Sequence, residues 1–196
     1  MKVWRKTKIK ISDDELMVRD QIPVKLRDGR KYLMTAVEKQ GDKMLIVFDE
    51  CVAKKPLVNT EKEYKWETCD LRKWLNTEFY EMLPVKITRR IVPDESCDLV
   101  TLLSSEQLFG VDADGNDCFG QIEYFKSEKS RVAEYEGETC WQWTKTPYAS
   151  YSDNARCVYT DGSLDSYYAF NGYAGVRPAC LIQLRPEGDP DSESMN

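Results

Sequence analysis

The sequence predicts a single α+β domain, and three observations point that way. A turn-punctuated, β-rich region opens the chain, one strongly amphipathic helix follows, and a β-hairpin with a closing strand ends it. The length of 196 residues suits one domain with a real core, and 41% hydrophobic against 32% charged residues is the balance of a globular chain. No internal repeat and no linker divides it, so residues 1–185 are expected to form the domain and residues 186–196, "PEGDPDSESMN", a disordered acidic tail.

In chain order, "DQIPVKLRDGRKY" carries a turn signal at Asp28-Gly29. The β-rich runs near Tyr32–Val37 and Met44–Phe48 then flank Gly41-Asp42, which together predict a small antiparallel meander. "YKWETCDLRKWLNTEFYEMLP" predicts a helix with Thr68 as N-cap, Leu71, Trp74, Leu75, Phe79 and Met82 along one stripe, and Pro84 after its end. "CDLVTLLS" reads as a short buried strand, "SEQLFG" as one helical turn stopped by Gly110, and "IEYFKSEKSRVAEY" as a second, shorter helix. "CWQWTKTP" is a strand with alternating aromatics, "RCVYTDGSLDSYY" a hairpin about Asp161-Gly162, and "GVRPACLIQL" the closing strand.

Composition excludes several functions. A net charge of −6, with basic residues interleaved among acids, is a poor match for nucleic acid, which needs a concentrated basic surface. No apolar run approaches the roughly 20 residues of a membrane span, and the start "MKVWRKTKIKISDDELM" lacks the apolar core of a signal peptide. A cytoplasmic protein, or one packaged from the cytoplasm into a virion, is the expectation. The seven cysteines are odd in number and widely spaced, which predicts reduced thiols. The chain has no histidine, so Ser-His-Asp and Cys-His nucleophiles and histidine metal triads are all ruled out.

Two loops require separate weighing. In "DADGNDCFGQIE", Asp112, Asp114, Asn116 and Glu123 occupy positions one, three, five and twelve of an EF-hand loop. Asp117 stands where the sharp turn needs glycine, so a polar surface turn is the better reading, and neither a metal nor any other cofactor is expected. The stretch from Tyr148 to Cys180 differs in kind. It holds six of the eleven tyrosines with repeated Ser, Asp and Asn, and Lys145 is the last lysine of the chain. Tyrosine offers rigid amphipathic contact area while Ser, Asn and Asp offer adaptable hydrogen bonds, the palette of antibody binding loops. The candidate ligand-binding residues are Tyr148, Tyr151, Asp153, Asn154, Tyr159, Asp165, Tyr167, Tyr168 and Asn171.

Three stretches in order, "YKWETCDLRKWLNTEFY", "LVTLLSSEQLFG" and "WQWTKTP…ARCVYTDGS…GVRPAC", resemble the family called domain of unknown function 6273, common in phages and gut bacteria. The family pattern runs "W-x-x-S-x-L-R-x-W-L-N", "V-x-L-L-S", "W-W-L-R-S-P" and "G-V-R-P-A", and the likeness spans roughly residues 30–184. Lys145 stands where the family often has arginine. The closing half is also similar to the C-type lectin-like fold of formylglycine-generating-enzyme relatives and of diversity-generating retroelement variable proteins. That likeness implies small twisted antiparallel sheets, two helices and long irregular loops. It also implies a displayed C-terminal face that can be diversified. The enzymatic members do not transfer, because their copper-binding cysteine pair and iron-binding histidines have no counterpart: Cys157 lies in the matching region and Cys180 on the closing strand.

Within that frame Trp66, Trp74, Trp141, Trp143, Gly175, Arg177 and Pro178 are expected to be structural, with Arg177 satisfying loop carbonyls. The expected function is a non-catalytic module that binds a protein or glycan ligand. Two other classes compete with it: a structural or decoration component of a phage particle, whose face makes oligomer contacts, and a carboxylate enzyme built on Asp153 and Asp165.

Overall fold

The computed structural model describes residues 16–184; the predicted acidic tail and the first fifteen residues lie outside them. Strands β1 (Gln21–Lys25), β2 (Lys31–Gln40) and β3 (Lys43–Phe48) form the antiparallel meander, turning at Asp28-Gly29 and at Gly41-Asp42. Gly29 and Gly41 take positive φ, 94° and 63°, the left-handed conformation that such tight turns require. Strands β4 (Ala53–Lys54) and β5 (Ile91–Val92) are short. The later strands are β6 (Ala133–Tyr135), β7 (Glu138–Cys140), β8 (Gln142–Pro147), β9 (Asn154–Val158), β10 (Leu164–Tyr168), β11 (Gly175–Val176) and β12 (Ala179–Gln183).

They assemble into a sheet of order β1-β2-β3-β12-β5, a second of order β10-β9-β8-β11-β4 and a two-stranded β6-β7 ribbon. The α+β class therefore holds. The sheets are not wholly antiparallel, because β11 runs parallel to β8. The first sheet is covered on both faces. Met44, Ile46 and Phe48 pack into the main core with Leu71, Leu75 and Phe79, while Leu45 and Val47 pack with Leu103, Leu108 and Phe125. That is why "MLIVF" is continuously apolar rather than alternating with polar residues.

The predicted helix is present as α1 (Asp70–Trp74), a π-helical turn (Leu75–Phe79) and α2 (Tyr80–Met82) in one run. Its cap differs from expectation. Thr68 ends a 3-10 turn (Trp66–Thr68), and the N-cap is Cys69, whose thiol accepts the Arg72 N–H at 3.3 Å. A thiol thus takes the capping role that a hydroxyl or carboxylate side chain more often fills.

Three further expectations change. The region around "IEYFKSEKSRVAEY" is not one helix but a 3-10 turn (Glu123–Lys126), α5 (Glu128–Arg131) and then β6. The buried Arg131 guanidinium donates to the Phe125 carbonyl at 2.7 Å, taking an acceptor that a continuous helix would have given to the N–H four residues on. With α3 (Val85–Thr88) and α4 (Ser105–Phe109), the helical content is several short pieces rather than two helices. "DLVTLL" is buried apart from the half-buried Leu99, but among the described residues it forms no ladder beyond a single bridge, Thr101 to Ala179, since a side chain claims its backbone groups instead. Finally, the closing strand is split: β11 belongs to one sheet and β12 to the other. Arg177 and Pro178 carry the chain across, and proline has no N–H to offer a ladder there. The α4 turn does end at Gly110, with φ 70°, and carries a capping box from Ser104 and Gln107.

Candidate functional site

Two constellations stand out, one buried and one displayed. The buried one gathers the motif residues around Asp98, whose side chain is 2% exposed. Its carboxylate accepts from the Trp66 indole N–H at 2.8 Å and from Arg72 Nε at 2.6 Å. Arg72 spends its other donors on the carbonyls of Glu67 and Ser96. Asn76, inside the π turn, donates from Nδ2 to Val100 O and Arg72 O and accepts the N–H groups of Leu99 and Val100. Asp94 extends the network, accepting from the Ser96 and Asp98 N–H groups and pairing with Lys145 at 3.5 Å. The buried Tyr64 hydroxyl donates to the Lys145 carbonyl. A π turn re-aims side chains relative to an α-helix, and here it points Asn76 at the extended segment. Every polar group in this hub is matched to a partner inside the protein, which is the pattern of a scaffold node.

The displayed constellation lies on the β9–β10 hairpin and the segments flanking it. Trp141 and Trp143 touch at 5.3 Å; Trp143 is buried and donates from its indole to the Lys55 carbonyl, whereas Trp141 is half-buried. From Trp141 a row of rings continues outward through Tyr167 at 5.1 Å, Tyr168 at 5.7 Å and Phe170 at 5.6 Å. Tyr167, Tyr168 and Phe170 are 45%, 48% and 37% exposed. The row thus runs from the core to the surface around β10, which among the described residues is an edge strand of its sheet. A second aromatic group forms beside it. Tyr148 and Tyr151 lie 5.9 Å apart, and the Arg156 guanidinium covers Tyr148 at 4.3 Å. Arg156 also donates to the Ala113 carbonyl, while its Nε and the Asn154 Oδ1 are buried without a protein partner.

The remaining candidates are scattered around these groups. Tyr159 is exposed at the turn end of the hairpin, where its N–H meets the Ser163 carbonyl, about 17 Å along the strand from Tyr168. Asp165 faces solvent and accepts the neighbouring Ser166 N–H, which blunts the β10 edge. Asp153 serves through its carbonyl, accepting from the Ala169 N–H, and Asn171 caps the Tyr173 N–H at 2.8 Å. Sequence reasoning passed over Phe170 and Tyr173, the latter the most exposed tyrosine in the segment at 75%. Their position in the same lysine-free stretch was the available signal.

Arg177 is buried and donates from Nε to Phe48 O at 2.7 Å, with Nη1 near the carbonyls of Ser130 and Arg131; burial pushes its pKa down. In the Asp112 loop, the Asp112 carboxylate accepts the Asn116 N–H and Nδ2, bonds that hold it below the usual carboxylate range. Glu123 sits on a 3-10 turn and pairs with Lys126. No group of three or more Cys, Asp or Glu side chains placed to hold a metal occurs among the described residues. The shallow recess lined by Pro23, Tyr32, Leu33 and Glu50 includes none of the tyrosine-segment residues.

The family model named Domain of unknown function (DUF6273) matches residues 41–97 and 96–184. The chain belongs to that family. The matched spans take in both the Asp98 hub and the β9–β10 hairpin of this DUF6273 protein. No curated protein and no solved structure matches the chain. Among the described residues no helix is long and apolar enough to cross a membrane.

Proposed function

We propose that this protein is a non-catalytic recognition module whose C-terminal aromatic face binds a protein or glycan ligand. The observation that carries the reading is the row Trp141–Tyr167–Tyr168–Phe170, anchored in the core at one end and exposed at the other. Folded monomers rarely leave several large rings in contact with one another and with water unless the patch is used. Anchored rings also lose little entropy on binding, and the neighbouring Asn and Asp groups supply directional hydrogen bonds. The finer family assignment belongs to the same proposal. A C-type lectin-like, retroelement-diversified phage or gut-bacterial protein is supported by the layout, in which a decorated segment runs from β8 to a closing strand lying between β3 and β5 in the first sheet.

The test is a glycan array and a displayed-peptide library probed with the purified chain. Tyr167→Ala and Tyr168→Ala are expected to weaken any selected binder at least tenfold while leaving the melting temperature within a few degrees. Binders indifferent to both substitutions would remove the assignment of this face. The diversification part has its own check: a neighbouring reverse-transcriptase gene and a near-repeat of the C-terminal coding segment that differs only at adenines. A second reading, in which β10 and its rings join copies of the chain in a particle, is favoured by that edge position. Sedimentation showing a stable oligomer that Tyr168→Ala dissociates would select it.

A further inference from the structure

Five of the seven cysteines are buried, and two of them meet. Cys51 follows β3, and its N–H is held by the Glu134 carbonyl of β6; Cys140 ends β7. Their Sγ atoms are 3.6 Å apart, joined by a thiol–thiol hydrogen bond, in a small cluster with Ala133 and Tyr135. Gly175 of β11 forms the wall of this site. A Cβ there would collide with both sulfurs, so its absence lets backbone pack directly against the two thiols. The hydrogen bond shared with Cys51 is the main cause of the lowered pKa of Cys140; burial opposes it, and the cations of Lys54 and Arg177 add to it, while the Cys51 thiol is pushed up.

We propose that Cys51 and Cys140 are a dithiol redox site, closed to a disulfide by small disulfides of the glutathione class and reopened by small thiols. Cys140, 5% exposed, is reached when the two-stranded β6–β7 ribbon opens; its thiolate then attacks one sulfur of the small disulfide, forming a mixed disulfide and expelling one thiolate. Cys51 then loses its proton to that thiolate and attacks the Cys140 sulfur, expelling the second. The balance is one protein dithiol and one small disulfide giving one protein disulfide and two small thiols. Closure needs the sulfurs to approach from 3.6 Å to about 2.05 Å. The bond would staple residues 89 apart in sequence and fix the strand that leads directly into Trp141, the root of the aromatic row.

The experiment uses the full chain carrying Cys97→Ser and Cys118→Ser, which removes the two thiols that are not buried and leaves five. The folded protein is equilibrated with oxidised glutathione at neutral pH, alkylated and mapped by mass spectrometry. The expected result is loss of two alkylatable thiols, a Cys51–Cys140 crosslinked peptide, and a melting temperature about 10 °C higher that falls back with dithiothreitol. Adding Cys140→Ala should abolish all three changes, and Cys51→Ala should stop the reaction at the mixed disulfide. Five alkylatable thiols at equilibrium, or a crosslink between any other pair, would overturn the proposal. Neither result bears on ligand binding by the aromatic face.

Discussion

Asn76 offers the sharpest test of how the motif residues hold this fold. Its Nδ2 donates to Arg72 O at 2.9 Å and Val100 O at 2.9 Å and approaches Asp98 Oδ1 at 3.3 Å; its Oδ1 accepts from Leu99 N at 2.7 Å and Val100 N at 3.1 Å. Asn76→Ala removes all of these and strands two amide N–H groups, one of them on the buried Val100. Each buried orphan costs about 1–3 kcal/mol, and the partial exposure of Leu99 discounts one of them, so a loss of about 3–4 kcal/mol is expected. For a domain of this size that corresponds to a melting temperature lower by roughly 10 °C. Urea unfolding measures it directly, as a lower midpoint at constant m. Asn76→Asp separates the two halves of the interaction, since it keeps an acceptor for the Leu99 and Val100 N–H groups but removes the Nδ2 donor and sets a second carboxylate against Asp98. It should also destabilise, and recover part of the loss as the pH falls and the new carboxyl protonates. A loss below about 1 kcal/mol for Asn76→Ala would mean that water replaces the side chain readily. The extended segment would then be held by its buried apolar residues, the Thr101–Ala179 bridge and the Asp94 hydrogen bonds.

The hairpin turn and the buried thiols yield two more tests. Gly162 has φ 89°, and a Cβ there would run into the Glu128 backbone; Gly162→Ala should cost about 2–4 kcal/mol. Gly41→Ala, at φ 63° in open space, should cost only about 1 kcal/mol, and equal losses in thermal melts would refute the close approach. Burial pushes the thiols of Cys157 and Cys180 from 9.0 up to about 12, and that of Cys69 up to about 11. The unfolded chain therefore releases these protons first. Stability is complete below pH 9 and falls as the pH rises from there toward 11–12, by about 1.4 kcal/mol per pH unit for each thiol. Alkaline urea titrations check the slope, and a stability flat from pH 9 to 11 would show that the folded thiols titrate normally.

Much of the architecture was legible because short-range chemistry specifies it. The Asp28-Gly29, Gly41-Asp42 and Asp161-Gly162 turns, the Leu71–Leu75–Phe79 stripe and the Gly110 stop each depend on residues within one turn of one another. The misread elements depended on distant partners. Arg131 breaks a helix by claiming the Phe125 carbonyl, Asn76 turns a predicted strand into a tethered loop, and Pro178 divides one strand between two sheets. The candidate face was visible as composition, but composition could not separate Tyr148, covered by Arg156, from Tyr167 and Tyr168 on an edge strand.

What the sequence by itself determined is therefore the class of fold, its turns, its main helix, its family and the surface palette of its last quarter. Each of these follows from local periodicity, from backbone preference, or from residue types strung in a fixed order. What only the tertiary structure decided is which of these residues meet. The Asp98 hub joins residues from Tyr64 to Lys145, and the Cys51–Cys140 pair joins positions 89 apart. Contacts over such separations are set by how the two sheets pack and cross, and periodicity along the chain carries no record of that.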